Sequence, residues 1–203
     1  MGKMNLLKAN WEGKVGQTVG AKWKDKSTIR TYTKPSNPKT EAQMEVRGVF
    51  GQMTAFVALF ADQIKYLSAL NTRGMSVRNA IIQANKDQIT AGTFDATTLL
   101  VSRGGLPNVT GVTASYASSK VSVSYTAPVA TNITSKAKIV AIAVDKENKR
   151  AWAAAELFDA DALDINTGAL ESGTELDVYY YVIDQRGSSK VGSPSAHATV
   201  TVA

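Results

Sequence analysis

The chain has 203 residues, of which 44% are hydrophobic, and its formal net charge is +6. That hydrophobic share supports a packed core and excludes wholesale disorder. The absence of cysteine excludes disulfides, thiolate metal sites and cysteine nucleophiles. No signal peptide is seen near the start, and the longest apolar run, Ala55–Ala61, is too short to cross a membrane. We therefore expect no membrane partner.

Positive charge is concentrated in the first part of the chain. Residues 1–105 contain 15 basic and 7 acidic side chains, whereas residues 106–203 contain 8 and 10. Residues 1–40 alone carry nine Lys or Arg residues, opposed by Glu12 and Asp25. Such a basic arm suits contact with nucleic acid or with an acidic protein neighbour. A solvated, Lys-rich hairpin is the alternative.

Residues 13–33 are predicted to form a β-hairpin. Alternation along its first strand places Val15, Val19 and Trp23 on an apolar face, opposite a basic face. A turn at residues 25–27 then leads to the second strand.

Basic and aromatic side chains alternate along this hairpin. Trp23, Lys24 and Arg30 are of the types that stack on bases and contact phosphates. The alternative is that Trp23 lies in the hairpin core or in an oligomer contact, because it shares the apolar face.

A long helix is predicted from about residue 39 to residue 69. Asn37 is a suitable N-cap, and Glu41 in the first turn suits the helix dipole. Hydrophobic residues recur every three or four positions through Phe56 and Phe60, which gives one continuous stripe. Such a stripe needs a partner, either a second helix or another copy of the chain.

A second helix is predicted over residues 76–88, with Ser76 as its N-cap. It would pair with the long helix to form a helical hairpin. Residues 98–101 are predicted to form a short strand, and residues 104–107 a linker.

Beyond Pro107 the hydrophobic period changes from 3.6 to 2. Seven strands are predicted, at residues 109–114, 120–125, 137–144, 150–155, 163–165, 175–183 and 196–202. Short strands at this spacing are typical of a β-sandwich. We predict an α+β protein, in which a basic hairpin and helical domain of residues 1–105 precedes a sandwich domain of residues 106–203.

Residues 170–178 resemble the entry to the penultimate strand of fibronectin type III domains. That family usually has proline where Ser172 stands and a core tyrosine where Leu176 stands. The resemblance implies a fibronectin-III-like sandwich, and a generic immunoglobulin-like sandwich is the alternative.

Side chains in a pattern typical of catalysis or metal binding are few. His197 has no second histidine or cysteine to complete a metal or catalytic site, and we expect it to be an ordinary strand residue. Asp159, Asp161 and Asp164 lack the glycine and distal glutamate of a calcium loop. Residues 13–20 are glycine-rich but lack the order of a phosphate loop. We expect no cofactor, no metal and no enzymatic activity.

Several residues together form a signature, Gly13-Lys14-Val15-Gly16, Trp23-Lys24, Ile29-Arg30, Asn37-Pro38, Thr40, Gln43 and Arg47. With the downstream Leu99–Gly104 stretch, it resembles a family of uncharacterised proteins of Bacteroidota and their phages. The resemblance implies a bacterial or phage origin, and carries no known activity or site residue.

Our leading hypothesis is a structural protein of a phage virion, such as a capsid, decoration or tail protein, that self-associates. It would act in the virion or the bacterial cytoplasm, in contact with other virion proteins. The alternatives are a nucleic-acid-binding protein that uses residues 1–40 and a surface adhesion module. The candidate interaction residues are Trp23, Lys24, Arg30, Arg47, Phe56 and Phe60.

Overall fold

The structure, a computed structural model, describes residues 12–23, 26–34, 36–37, 39–70, 74–127, 133–157, 162–186 and 189–203. Within these ranges the chain forms eleven strands and three helices. Its contacts divide it into two compact units, Met1–Thr40 (unit 1) and Glu41–Ala203 (unit 2).

Unit 1 contains a three-stranded antiparallel sheet. Its strands are β1 (Gly13–Val15), β2 (Thr18–Trp23) and β3 (Lys26–Thr31), in that order. The predicted first strand is therefore two strands, separated by a turn at Gly16 and Gln17. Gly16 has φ of +59°, which suits the first central position of a tight hairpin turn. The predicted apolar face is wrong, because the turn pairs Lys14 with Val19.

Unit 2 begins with helices. They are α1 (Glu41–Ala58), α2 (Val77–Ala84) and α3 (Lys86–Thr90). The predicted long helix is wrong, because α1 ends at Ala58. Beyond it the chain continues in turns, in which backbone bonds such as Leu59 N to Phe56 O span three residues. The Gln63 amide there donates to the Ala151 carbonyl, a strand contact that helix propensity alone does not foresee.

The predicted helical hairpin is also wrong. Ser76 is the N-cap of α2, as expected, and its hydroxyl accepts a hydrogen bond from Asn79 N at 3.3 Å. The helix then stops at Asn85. The side-chain amide of Asn85 donates to Ile81 O and Leu100 O and accepts from Leu100 N, so that α2 and α3 are separate short helices. The expected fold class is corrected accordingly: the described chain is mostly β.

The rest of unit 2 is two facing sheets. The strands are β4 (Thr110–Ala117), β5 (Lys120–Thr126), β6 (Lys138–Asp145), β7 (Arg150–Leu157), β8 (Ala162–Asn166), β9 (Glu175–Arg186), β10 (Ser189–Gly192) and β11 (Ala196–Thr201). One sheet has the order β4-β5-β8, and the other β10-β9-β6-β7, with β11 also beside β9. The predicted sandwich-like β-structure is confirmed, whereas residues 98–101 form no strand.

The five-stranded sheet has a core on each face. Tyr179 and Tyr181 of β9 pack with the helices, whereas Val178 and Val182, which alternate with them, pack against the three-stranded sheet. Unit 2 is thus three layers: helices, five-stranded sheet, three-stranded sheet. The expected domain boundary at residues 105–106 falls inside unit 2, because the helices and the sheet share one core.

The segment that enters β9 is fixed to β4. The Tyr116 hydroxyl donates to Gly168 O at 2.9 Å and accepts from Leu170 N at 3.0 Å. Leu176, at the position of the fibronectin-type tyrosine, is fully buried between the sheets. The finer fibronectin-III-like assignment stays a prediction.

The predicted linker at residues 104–107 is closely packed. Leu106 is buried, and its N–H donates to Gly192 O at 3.1 Å. A Cβ at Gly104 would overlap the same oxygen and lie 2.7 Å from Gly192 C. Two backbone segments therefore cross here at a distance that only glycine allows.

Candidate interaction surfaces

One face of the unit 1 sheet is cationic and aromatic. Lys14, Val19 and Arg30 lie side by side on adjacent strands, so they share a face. Tyr32 continues this face, with its N–H donating to Gln17 O at 2.7 Å. The Lys14 ammonium lies 3.8 Å from the centroid of the Tyr32 ring, within the range of a cation–π contact.

The opposite face carries exposed apolar side chains. Val15 is 64% exposed, and Ile29 is exposed as well. No hydrophobic side chain that the structure describes in unit 1 is buried. A three-stranded sheet is stable when one of its faces packs against hydrophobic side chains. The exposed face of this sheet is therefore available for a partner to cover.

The first half of α1 is exposed on all sides. Residues 41–48 are exposed throughout, although they include Met44 and Val46. Phe50, one turn beyond Val46, is 48% exposed. Arg47 lies among them and is exposed too. This half of the helix therefore presents apolar side chains beside a cation.

The candidate interaction residues fall in different places. Arg30 and Arg47 are exposed. Trp23 ends β2, but its side chain and the whole of Lys24 lie outside the described residues. Phe56, on α1, and Phe60, just after it, are instead buried against the five-stranded sheet.

The two phenylalanines belong to an aromatic cluster on the five-stranded sheet. Phe56 packs against Phe94 with ring centroids 5.5 Å apart, and Phe60 stacks on Tyr179 at 6.1 Å. The hydrophobic stripe of α1 therefore covers the sheet of its own chain. Burial, with the nearby charges of Asp177 and Asp95, raises the pKa of Tyr179, whose hydroxyl donates to Ala96 O.

His197 lies in β11, directly beside Tyr179 of β9. Its Nε2 lies 2.8 Å from Oδ1 of Asp177, and both side chains are nearly buried. The sequence did not indicate Asp177 as its partner, because twenty residues separate the two and only the sheet register brings them together. The pair ties the last strand to the sheet.

Eight large hydrophobic residues of the described chain are exposed. Six lie between residues 15 and 50 and are here called the N-terminal apolar set: Val15, Ile29 and Tyr32 in unit 1, and Met44, Val46 and Phe50 on α1 of unit 2. The other two are Tyr66 and Leu157. Nothing in the sequence pattern indicates that Val15 is exposed, because the predicted hairpin places it on the buried face.

Metal-binding clusters and membrane-spanning helices are both absent from the described residues. No group of three or more His, Asp or Glu side chains there could hold a metal ion. None of the helices in those ranges is long and apolar enough to span a membrane. Asp159 and Asp161 lie outside the described residues, whereas Asp164 accepts a hydrogen bond from the Ser122 hydroxyl at 2.6 Å.

Comparison with solved structures gives partial matches. The spore cortex lytic enzyme SleM of Clostridium perfringens matches at 19% identity and a TM-score of 0.35, over 46% of this chain and 27% of that one. A family 76 glycoside hydrolase from a bovine Bacteroides thetaiotaomicron strain matches at 11% identity and a TM-score of 0.36, over 48% and 20%. The matched part thus spans about a quarter or less of either enzyme.

A computationally redesigned β-sandwich protein matches at 12% identity and a TM-score of 0.34, over 49% of this chain and 94% of that one. No curated protein matches the chain. One family profile matches residues 9–195, which include the unit 1 sheet, the helices and most of the sandwich. The chain belongs to this family, DUF6266, a family of unknown function.

Proposed function

We propose that the protein is a non-enzymatic assembly protein that self-associates through its N-terminal apolar set, and that it is a structural component of a phage virion. The observation that carries the self-association is that each unit exposes large hydrophobic residues on one element: Val15 and Ile29 on a face of the unit 1 sheet, and Met44, Val46 and Phe50 on α1. Single exposed hydrophobic residues are ordinary, whereas several on one element mark an interaction surface, and this holds for each unit by itself.

The stability of the unit 1 sheet supports the same proposal. It buries none of its described hydrophobic side chains, so it lacks the packing that stabilises small sheets. A second copy of the chain would supply that packing on the Val15 and Ile29 face. The family match spans this sheet and the sandwich together, so the sheet belongs to the family's common architecture.

The virion role rests on the N-terminal signature and its resemblance to phage and Bacteroidota proteins. Structural proteins of virions act as many copies in contact, which fits a chain with apolar surface outside its core. Arg47 beside Val46 and Phe50 gives such a contact a polar component, and arginine is common in interfaces.

The test is light scattering coupled to size-exclusion chromatography on the whole chain over a range of concentrations. We expect an oligomer. The double variant V15S/F50S should shift it toward monomer, because both substitutions remove exposed apolar area from the N-terminal apolar set. Leu157→Ser is the matched control: Leu157 is 49% exposed, as Phe50 is 48% exposed, but it lies outside the set. A monomeric wild type, or a double variant that assembles as the wild type does, would refute the proposal.

A second candidate function is nucleic-acid binding by the cationic face of unit 1. Lys14, Arg30 and Tyr32 on one face are the observation that favours it. Phosphate binding makes affinity fall with salt, and removing one phosphate-binding side chain lowers the salt slope by about 1. Arg30→Gln should lower that slope in a single-stranded DNA titration. If the affinity changes neither with salt concentration nor with this substitution, the cationic face is excluded as the binding site.

A further inference from the structure

A groove crosses one end of the five-stranded sheet on the helix side. Its floor follows two neighbouring rows on one face of the sheet. In the first, Lys138 pairs with both Ile183 and Leu157. In the second, two residues along β9, Gln185 pairs with Lys190. These residues lie on β10, β9, β6 and β7, so the groove crosses four strands. At about 4.8 Å between strands, the three spacings from β10 to β7 make the floor about 14 Å wide across the sheet.

The helices leave Lys138 and Leu157 uncovered, although Ile183 beside them is buried. Val140 and Ile142, the next two residues on this face of β6, are buried under the helices, but Lys138 is exposed. One wall is the turn segment after α1, which contributes Tyr66 and Leu67. The Lys190 ammonium donates to the Tyr66 carbonyl, so this wall is fixed to β10.

Most of the lining surface of the groove is apolar. It has a volume of about 510 Å³, within the usual range of small-ligand sites. Tyr66 and Leu157, 76% and 49% exposed, both line it. They are the two exposed large hydrophobic residues of the described chain outside the N-terminal apolar set, so this second concentration of apolar surface coincides with a concave site.

The charged residues of the described chain that line the groove all have one sign. Lys136, Lys138 and Lys190 line it, and no acidic residue of the described chain does. Asp184 lies between the two rows on β9 but alternates to the opposite face, where it bonds to Thr134 and Arg186. A ligand in the groove therefore meets apolar side chains, the polar Ser135 and Gln185, and three ammonium groups, of which that of Lys190 is bonded to the Tyr66 carbonyl.

We propose that this groove binds a small organic anion: a carboxylate, sulfonate or phosphate monoester carried on an aromatic or alkyl body. The body would lie along Leu157, Ile183 and Tyr66, and the anionic group would contact Lys136 and Lys138. An extended peptide fits less well, because peptides that join a sheet run along its strands and bond to an edge, whereas this groove runs across them.

The test is a fluorescence titration of the whole chain with 8-anilinonaphthalene-1-sulfonate, an aromatic anion. The double variant K136Q/K138Q should raise the Kd about tenfold, the scale of one charge-assisted hydrogen bond. The double variant K146Q/K149Q is the matched control. It removes the same charge from the turn at the other end of β6, and its Kd should be unchanged.

Competition then tests the ligand class. Dodecanoate should displace the probe, and dodecyltrimethylammonium, with the same alkyl chain and a positive charge, should not. If dodecyl phosphate displaces the probe as well as dodecanoate does, the site recognises the negative charge and the alkyl body, and does not require a particular anionic group. Equal displacement by the cation would overturn the proposal.

The N-terminal apolar set is the alternative site for the dye. V15S/F50S should leave the Kd unchanged, and loss of dye binding in that variant would overturn the proposal, as would an unchanged Kd in K136Q/K138Q. Unfolding midpoints of the two lysine double variants should match the wild type, since the substituted lysines are exposed. The result is independent of the oligomer measured by light scattering.

Discussion

The crossing of residues 104 and 192 gives the sharpest stability prediction. Gly104→Ala would place a Cβ in overlap with Gly192 O and 2.7 Å from Gly192 C, whereas ordinary contact begins at 3.4 Å. The atoms that the new Cβ would meet belong to the backbone of Gly192, so a change of side-chain rotamer cannot relieve the overlap. The two segments must separate.

Separation has two costs. Overpacking of this kind costs about 2 kcal/mol, and breaking the bond from Leu106 N to Gly192 O, now 3.1 Å, would add about 1 kcal/mol. The expected destabilisation is therefore about 3 kcal/mol. For a unit of this size it corresponds to a fall of about 10 °C in Tm.

Thermal and urea unfolding followed by circular dichroism measure this effect. Gly105→Ala is the matched control, because a Cβ there meets no atom within 4 Å, and it should change stability by less than about 0.5 kcal/mol. Gly192→Ala should destabilise as well, since its Cβ would lie 2.5 Å from Ala69 Cβ. Equal stability of the 104 and 105 variants would refute the close crossing.

Three further predictions concern buried polar groups. His197→Ala leaves Asp177 nearly buried without its partner, and should cost about 3 kcal/mol in urea unfolding at pH 7, whereas His197→Gln, which keeps an amide donor, should cost less. Asn85→Ala removes the side chain that joins α2 to Leu100 and should destabilise by about 2 kcal/mol, which hydrogen exchange at Leu100 N would report as lost protection. Burial raises the pKa of Asp184, but hydrogen bonds from Thr134 and Arg186 outweigh it, so that the pKa lies below its ordinary value of 3.8. The unfolded chain therefore takes up a proton first as the pH falls, and this carboxylate's contribution is present above pH 3.8 and lost as the pH falls through the folded value. In urea denaturation at a series of pH values over that range, the free energy of unfolding should fall less steeply with pH in Asp184→Asn than in the wild type.

The candidate surfaces are only partly predictable from the sequence. The signature points to Arg30 and Arg47, which are exposed, whereas the helix stripe points to Phe56 and Phe60, which the chain's own sheet covers. A periodic stripe shows that a helix is buried and leaves open what buries it. Alternation puts Val15 on a buried face because it does not reveal the turn at residues 16–17.

The sandwich strands and the α2 cap follow from the sequence alone. Period-two alternation over residues 120–125 reproduces β5, because a strand of an outer sheet buries every second side chain. The predicted strand at residues 175–183 covers most of β9, which lies between two packed layers and buries side chains on both faces. Ser76 caps α2 because its hydroxyl satisfies a backbone N–H within the same turn. These are local requirements, which a local pattern can express.

The positions at which the helices end, and the groove across the sheet, depend instead on tertiary contacts. Residues after Ala58 favour a helix, but contacts with the sheet, such as Gln63 with Ala151, hold them in turns. Asn85 breaks a helix by bonding to Leu100, fifteen residues away. The groove is set by the register of four strands, so no single segment encodes it. In each case the deciding partner is distant in sequence, and its free energy outweighs local propensity.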